Sequence, residues 1–245
     1  MITLCRDRER HHIQRGQQEV WNTFYPQEGS DQSAVEFGLL ATLDEIRLPP
    51  GGVSFYQPSP EAEILTYVYE GGLAQEDSSG GSGVLHAGEF QRMTVGRGVR
   101  HKETNASSNN GVRIFRIGLH PSQVGLGSAR EQKRFAVAHR RNLLCAVASP
   151  DGRQGSLRIL QDTLIYSSVL DPGHHLIHEL LPARYAWIHV IYGEVIFQDF
   201  ILAQGDGVGV KAEPTVSLTV QTDSEILLVD MGPTVKSLAG MSGSQ

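Results

Sequence analysis

One pattern of turns and strands occurs twice in this chain, and that repeat restricts the fold more than any other feature. Pro50-Gly51 opens a strand pair that closes at Gly71, twenty residues on, and Pro172-Gly173 opens another that closes at Gly193, again twenty on. The closing glycines follow Tyr67-Val68-Tyr69-Glu70 and His189-Val190-Ile191-Tyr192. A second small turn comes after each, Ala87-Gly88-Glu89 in the first half and Gln204-Gly205-Asp206 in the second. Strand, glycine turn, strand and glycine-acid turn make one barrel's worth of chain. Two copies predict a duplicated β-barrel.

The remaining apolar runs agree. Leu40–Leu48 ends in Pro49-Pro50-Gly51-Gly52, and residues 63–71 are rich in β-branched and aromatic side chains. Val112–Leu119 alternates apolar and charged residues, as a half-buried strand does. Residues 162–170, 185–193 and 225–231 follow suit. Helical patterning is scarce; residues 128–135 could supply one or two turns between the halves. The expected class is all-β, with a first barrel over 1–120, a linker over 121–136, a second barrel over 137–234 and a frayed small-residue tail over 235–245.

Charge narrows the partners. Asp and Glu number 27 against 21 Lys and Arg, a formal net charge of −6, which argues against a sequence-independent grip on nucleic acid. No apolar run reaches the length of a membrane span, and the polar start MITLCRDRERHH lacks a signal core, so a cytoplasmic protein is expected. Two cysteines, Cys5 and Cys145, match no disulfide framework or zinc spacing. Cys145 lies between apolar residues and reads as an inert thiol, with a redox role left open by nearby Arg140 and Arg141.

The local motif with most chemistry is MTVGRGVRHKE, residues 93–103. His101 and Glu103 are two apart, so on a strand they share a face. If that face lines a barrel, an imidazole and a carboxylate converge there and suit a divalent first-row metal, iron especially. On an exposed edge the same pair merely meets water.

The stretch EAEILTYVYEGGLAQEDSSGGSGVLHAGEFQRMTVGRGVRHKE resembles the signature of the pirin family, as do TLDEIRLPPGG before it and EQKRFAVAHRRNLLCAVASPDGRQGSLRILQD after it. The resemblance runs from about Glu36 to Pro233. It implies a bicupin: two antiparallel jelly-roll barrels face to face, the first holding iron or a similar metal through a His-x-His pair and a later His-x-Glu pair. It implies either quercetin 2,3-dioxygenase activity or a regulatory binding role. His101 and Glu103 match the second ligand pair. The first pair falls on Gln57 and Ser59, so both family histidines are missing.

That departure divides the functional reading. Gln57 offers an amide oxygen and Ser59 a hydroxyl, both poor beside imidazole for iron. A full structural zinc site is worth about 10–16 kcal/mol, so two lost ligands weaken binding by several kcal/mol. Glu63 stands where many cupins outside the pirins place a metal-binding glutamate, which would give a set of Glu63, His101 and Glu103; alternatively it is a non-ligand of the pirin pattern. The main expectation is a monomeric, metal-poor pirin-like protein that binds a small aromatic molecule or a protein partner. The alternative is a quercetinase-type oxygenase with an altered metal set, in which Glu103 serves as ligand and base. In the second barrel the matching positions are Glu179 and Leu181, and Leu181 cannot ligate. His174, His175 and His178 read as rim or surface residues, and His189 as a satisfied, partly buried histidine.

Overall fold

All six turn glycines of the repeat adopt left-handed backbone angles: Gly51, Gly71 and Gly88 in the first half, Gly173, Gly193 and Gly205 in the second. At the two closing positions a side chain is excluded by space as well. A Cβ on Gly71 would lie 2.6 Å from the Gly111 carbonyl oxygen, and one on Gly193 would lie 2.2 Å from that of Asp223. The duplication is therefore written in backbone geometry, since non-glycine residues resist φ near +83°.

The computed structural model describes residues 1–25, 36–54, 62–78, 80–94, 101–122 and 127–233. Each half pairs a seven-stranded sheet with a four-stranded one. In the first barrel the large sheet runs Ala129–Arg134, Glu89–Thr94, Glu63–Glu70, Val112–Leu119, Leu40–Leu48, Gln18–Asn22, His11–Arg15. Its small sheet runs Val53–Ser54, His101–Asn105, Gly72–Asp77, Ser82–His86. In the second barrel the large sheet runs Ile2–Cys5, Gly207–Lys211, Tyr185–Tyr192, Ser224–Met231, Thr163–Leu170, Cys145–Ser149, Leu157–Arg158. The small one runs His175–Glu179, Thr215–Val220, Glu194–Phe197, Phe200–Ala203. Nearly all pairings are antiparallel; Cys145–Ser149 with Leu157–Arg158 is parallel. This is the bicupin architecture.

The two large sheets pack face to face. Leu43, Leu65, Tyr67, Phe90, Phe115 and Ile117 of the first meet Val147, Ile165, Trp187, Ile191, Leu227 and Val229 of the second in one continuous core. Alternate residues of the same strands point the other way, into the barrels. In the second barrel that face is mainly apolar, with Ile188, Val190, Phe197, Val208, Leu218 and Leu228 among its side chains, and buried Ser168 and Asp230 share it. In the first, apolar Ile46, Val68, Leu73 and Ile114 share their faces with buried Asp44, Thr66, Gln75 and Arg116.

Two expectations are corrected. Residues 128–135 are not helical: Ala129–Arg134 is an exposed edge strand paired along its length with Glu89–Thr94. The pairing, not local propensity, sets its conformation. The domain boundaries also interlock. That edge strand, expected in the linker, belongs to the first barrel, and Ile2–Cys5, expected in the first barrel, pairs with Gly207–Lys211 of the second. A third point concerns Val112–Leu119, expected to be half-buried with its charges in water. Both of its faces are covered. The tail over 235–245 lies outside the described residues.

Two buried polar clusters tie the seam. Tyr67 Oη donates to Glu225 Oε1 at 2.6 Å, and Arg140 donates to the same oxygen at 2.7 Å and to Ser167 Oγ at 2.8 Å. Burial, reinforced by the Glu225 charge, pushes the Tyr67 phenol well above its ordinary value. In the second cluster Glu45 accepts from Arg113 at 2.7 Å, Arg47 at 2.7 Å and Arg10 at 3.2 Å. Arg113 then donates across the seam to the Ile191 carbonyl at 3.0 Å. Burial alone would raise the Glu45 carboxyl, but the hydrogen bond and charge of Arg113, with Arg10 and Arg47, bring it down to about 2 from 4.5. The folded pKa is depressed, so the stabilisation is full above the unfolded value and is lost as pH falls through about 2. The shift corresponds to about 3 kcal/mol. Acid unfolding of Glu45→Gln, followed by circular dichroism, should show a correspondingly flatter stability profile between pH about 5 and about 2.

Candidate metal centre

The strand His101–Asn105 runs antiparallel to Gly72–Asp77 on one side and to Val53–Ser54 on the other. Glu103 stands opposite Gln75. Its carboxylate is 6% exposed and fully engaged within the barrel. Gln75 Nε2 donates to Oε1 at 3.1 Å, and an Arg116 amino group donates to Oε2 at 2.5 Å. His101 is half-buried, and its Nε2 is buried with no hydrogen-bond partner.

Arg116 comes from the opposite sheet. It lies on Val112–Leu119, level with Asp44 on one neighbour and Thr66 on the other. Its side chain is 1% exposed. The Asp44 carboxyl is raised above its ordinary value by burial, offset by a hydrogen bond from Asn22 and by the charges of Arg116 and Arg10. The sequence reading overlooked Arg116, although its spacing held a signal. Arg113 and Arg116 are three apart, so on one strand they must occupy opposite faces. One had to point into the barrel; Arg113 faces the seam and Arg116 faces inward.

The other proposed ligands fall differently. Glu63 shares its face with Leu65 and Tyr67, which look toward the second barrel. Its carboxylate accepts the Leu160 backbone amide at 2.9 Å and the Gln161 amide at 3.2 Å. Burial raises its carboxyl, against those two hydrogen bonds. It is thus an inter-barrel tie, and the set of Glu63, His101 and Glu103 does not assemble. Gln57 and Ser59 lie outside the described residues. Among the described residues no three His, Cys, Asp or Glu side chains come together as a metal site.

The remaining histidines also differ from expectation in part. His178 is not a free rim residue: it is part-buried and bonded to Asp230 at 2.9 Å, which Arg184 also holds at 2.6 Å. His189 is fully buried between the barrels, and neither ring nitrogen has a hydrogen-bond partner. Burial, then Arg10 and Arg113, keeps that ring neutral by lowering it well below its ordinary value, with Glu45 opposing. The Cys145 thiol is raised by burial despite Arg140 and Lys133, which argues against an activated thiolate.

Comparison with known proteins bears on this geometry. Residues 7–118 match the family described as pirin, and residues 146–231 match the quercetinase C-terminal cupin domain. A quercetin 2,3-dioxygenase of Escherichia coli K12 is 34% identical over 233 residues, covering 95% of this chain and all of that one. The chain belongs to the pirin family. A bacterial pirin from Escherichia coli, solved in complex with nickel(II), superposes with a TM-score of 0.86 at 33% identity, covering 96% of this chain and 100% of that chain. A Pirin-like protein of Caulobacter vibrioides is 28% identical over 201 residues, 82% of this chain and 86% of that one. A pirin can therefore hold a divalent metal, and the donor set here can be tested against one. It fits poorly. One imidazole nitrogen stands ready, but the carboxylate is already neutralised by a buried guanidinium, and a second cation beside Arg116 would be repelled in a medium of low dielectric.

No helix among the described residues is long and apolar enough to cross a membrane.

Proposed function

We propose that this pirin works as a binding protein, for a small aromatic molecule or a protein partner, and that its first barrel has replaced the metal with an internal ion pair. The observation that carries the reading is the 2.5 Å contact of Arg116 with Glu103, both nearly fully buried. Glu103 cannot serve as metal ligand and base while it is the counter-ion of a guanidinium. The absence of His-x-His at Gln57 and Ser59 points the same way. A cytoplasmic monomer, with the two barrels supplying each other's interface, completes the proposal.

The test is metal per chain by elemental analysis on protein purified without a histidine tag or chelators, before and after reconstitution with iron(II) or nickel(II). The expected result is metal well below one per chain and no flavonol consumption under O₂. One feature favours the oxygenase reading instead: the buried His101 Nε2 has no partner, which is what a ligand nitrogen looks like without its metal. Near-stoichiometric metal that is lost in His101→Ala, with flavonol turnover, would establish that reading and overturn the first.

A further inference from the structure

Among the described residues, the small sheet of the second barrel ends on one side at His175–Glu179, which pairs with Thr215–Val220 and has no strand along its other border. Its main chain is half used. Val220 donates to the His174 carbonyl at 2.9 Å, and Leu180 donates to the Pro214 carbonyl at 2.8 Å. Bonding residues alternate along an antiparallel ladder, so Leu176 and His178 also turn their main chain toward Thr215–Val220. The amides and carbonyls of His175, Ile177 and Glu179 therefore face the open border. The side chains of these three residues are exposed, Ile177 at 59%.

Other borders of this protein are guarded. Ala129–Arg134 is charged at four of its six positions. Val53–Ser54 and Leu157–Arg158 are two residues long. At the far end of the same small sheet, Arg6 donates to the Ile201 carbonyl at 2.6 Å. Charge, short length and covering are the usual protections of a sheet edge. His175–Glu179 carries no Lys, Arg or Pro, and its register is unbroken. Such an edge accepts a further strand.

The strand fits a second copy of itself. With Ile177 on a two-fold axis, two antiparallel copies set Ile177 against Ile177 and each His175 against Glu179 of the other copy. The open N–H and C=O groups of His175, Ile177 and Glu179 then gain partners in both chains. An imidazole meets a carboxylate at either end, and no like charges meet. Shifts that put Glu179 or His175 on the axis instead oppose two carboxylates, Glu179 with Glu179 or Glu179 with Asp171.

We infer that two copies of this chain associate through His175–Glu179, joining their four-stranded sheets into one continuous sheet across a two-fold axis. A self-complementary two-fold contact is the commonest kind among homo-oligomers. The junction spans five residues, a length of about 17 Å. That buries less than a permanent dimer needs, so the folded monomer is complete by itself and the pair is a reversible association in the micromolar range. Metal in the first barrel plays no part in it.

Sedimentation velocity of the full chain, from micromolar to submillimolar concentration, should show the sedimentation coefficient rising from monomer toward dimer. Ile177→Lys puts two like charges on the axis and should raise the dissociation constant at least about 10-fold. The position is exposed, so the variant should keep its fold, which circular dichroism checks. Val84→Lys, on the border strand of the first barrel's small sheet, should leave association unchanged. Glu179→Lys should weaken the pair, and adding His175→Glu should restore it, because the charges then meet in reverse order. A chain that stays monomeric at every concentration would overturn the inference and leave the edge to a strand of another protein. So would a dimer that Ile177→Lys spares, since the copies would then meet elsewhere.

Discussion

Arg140→Ala is expected to lower the free energy of unfolding by about 3–5 kcal/mol, the largest single-residue effect anticipated in this protein. The guanidinium is 2% exposed and serves four acceptors: Glu225, Ser167, the Phe135 carbonyl at 3.2 Å and the Tyr67 phenol oxygen at 3.3 Å. Truncation would leave the Glu225 carboxylate, 8% exposed, with the Tyr67 hydroxyl but no counter-ion. The penalty comes from that stranded charge more than from the lost contact. Two comparisons separate the contributions. Tyr67→Phe removes one neutral donor and should cost about 1 kcal/mol. Arg140→Met combined with Glu225→Leu removes both charges and should recover much of the loss, since apolar pairs of similar size replace buried ion pairs well. Urea unfolding of the set would check this. An Arg140→Ala loss below that of Tyr67→Phe would show that water reaches Glu225 and that the seam is looser than its packing implies.

The second large effect is a gain. Gln57→His with Ser59→His restores the residues that the pirin pattern places at the first ligand pair. If Arg116 holds the cation's place, that double variant should still bind nickel(II) or iron(II) weakly. Adding Arg116→Gln removes the competing charge, frees the Glu103 carboxylate and supplies a neutral side chain that can support it. The triple variant should bind at least about 100-fold more tightly than the double, approaching one metal per chain. Competition with a chromophoric chelator measures the difference. Stoichiometric metal in the double variant alone would show that the guanidinium swings aside, and would remove Arg116 as the block.

Much of this was legible in the sequence, and the rest shows where one-dimensional reading fails. The six repeat glycines could be found because a left-handed turn leaves few alternatives to glycine, so the chain marks such positions openly. The His101 and Glu103 pair could be found because a spacing of two fixes a shared face. Arg116 was missed because the Val112–Leu119 pattern was read as one wet face and one dry. A central strand of the large sheet has no wet face: one side lines a barrel and the other meets the second barrel. Both of its arginines are therefore covered whichever way they point, and only the three-residue spacing told which went where. Glu63 failed as a ligand for a related reason. Its phase along the strand matches Leu65 and Tyr67, the seam residues, but nothing in the sequence states which phase faces which layer. The unpaired state of His189 was beyond sequence altogether, because it depends on what the other barrel places opposite.

The exchange of edge strands also bears on how the molecule can come into being. Ile2–Cys5 leaves the ribosome long before Gly207–Lys211. Until then it has no sheet to join, and the second barrel stays open along one border. Conversely, a chain severed between the barrels would yield two fragments, each wrong at an edge. The first would trail a strand without a partner, and the second would bare the backbone of Gly207–Lys211, an apolar border of the kind that recruits stray strands. The two cupins are thus one cooperative object despite their repeated turn pattern, and expression of either alone should produce aggregate rather than a working half.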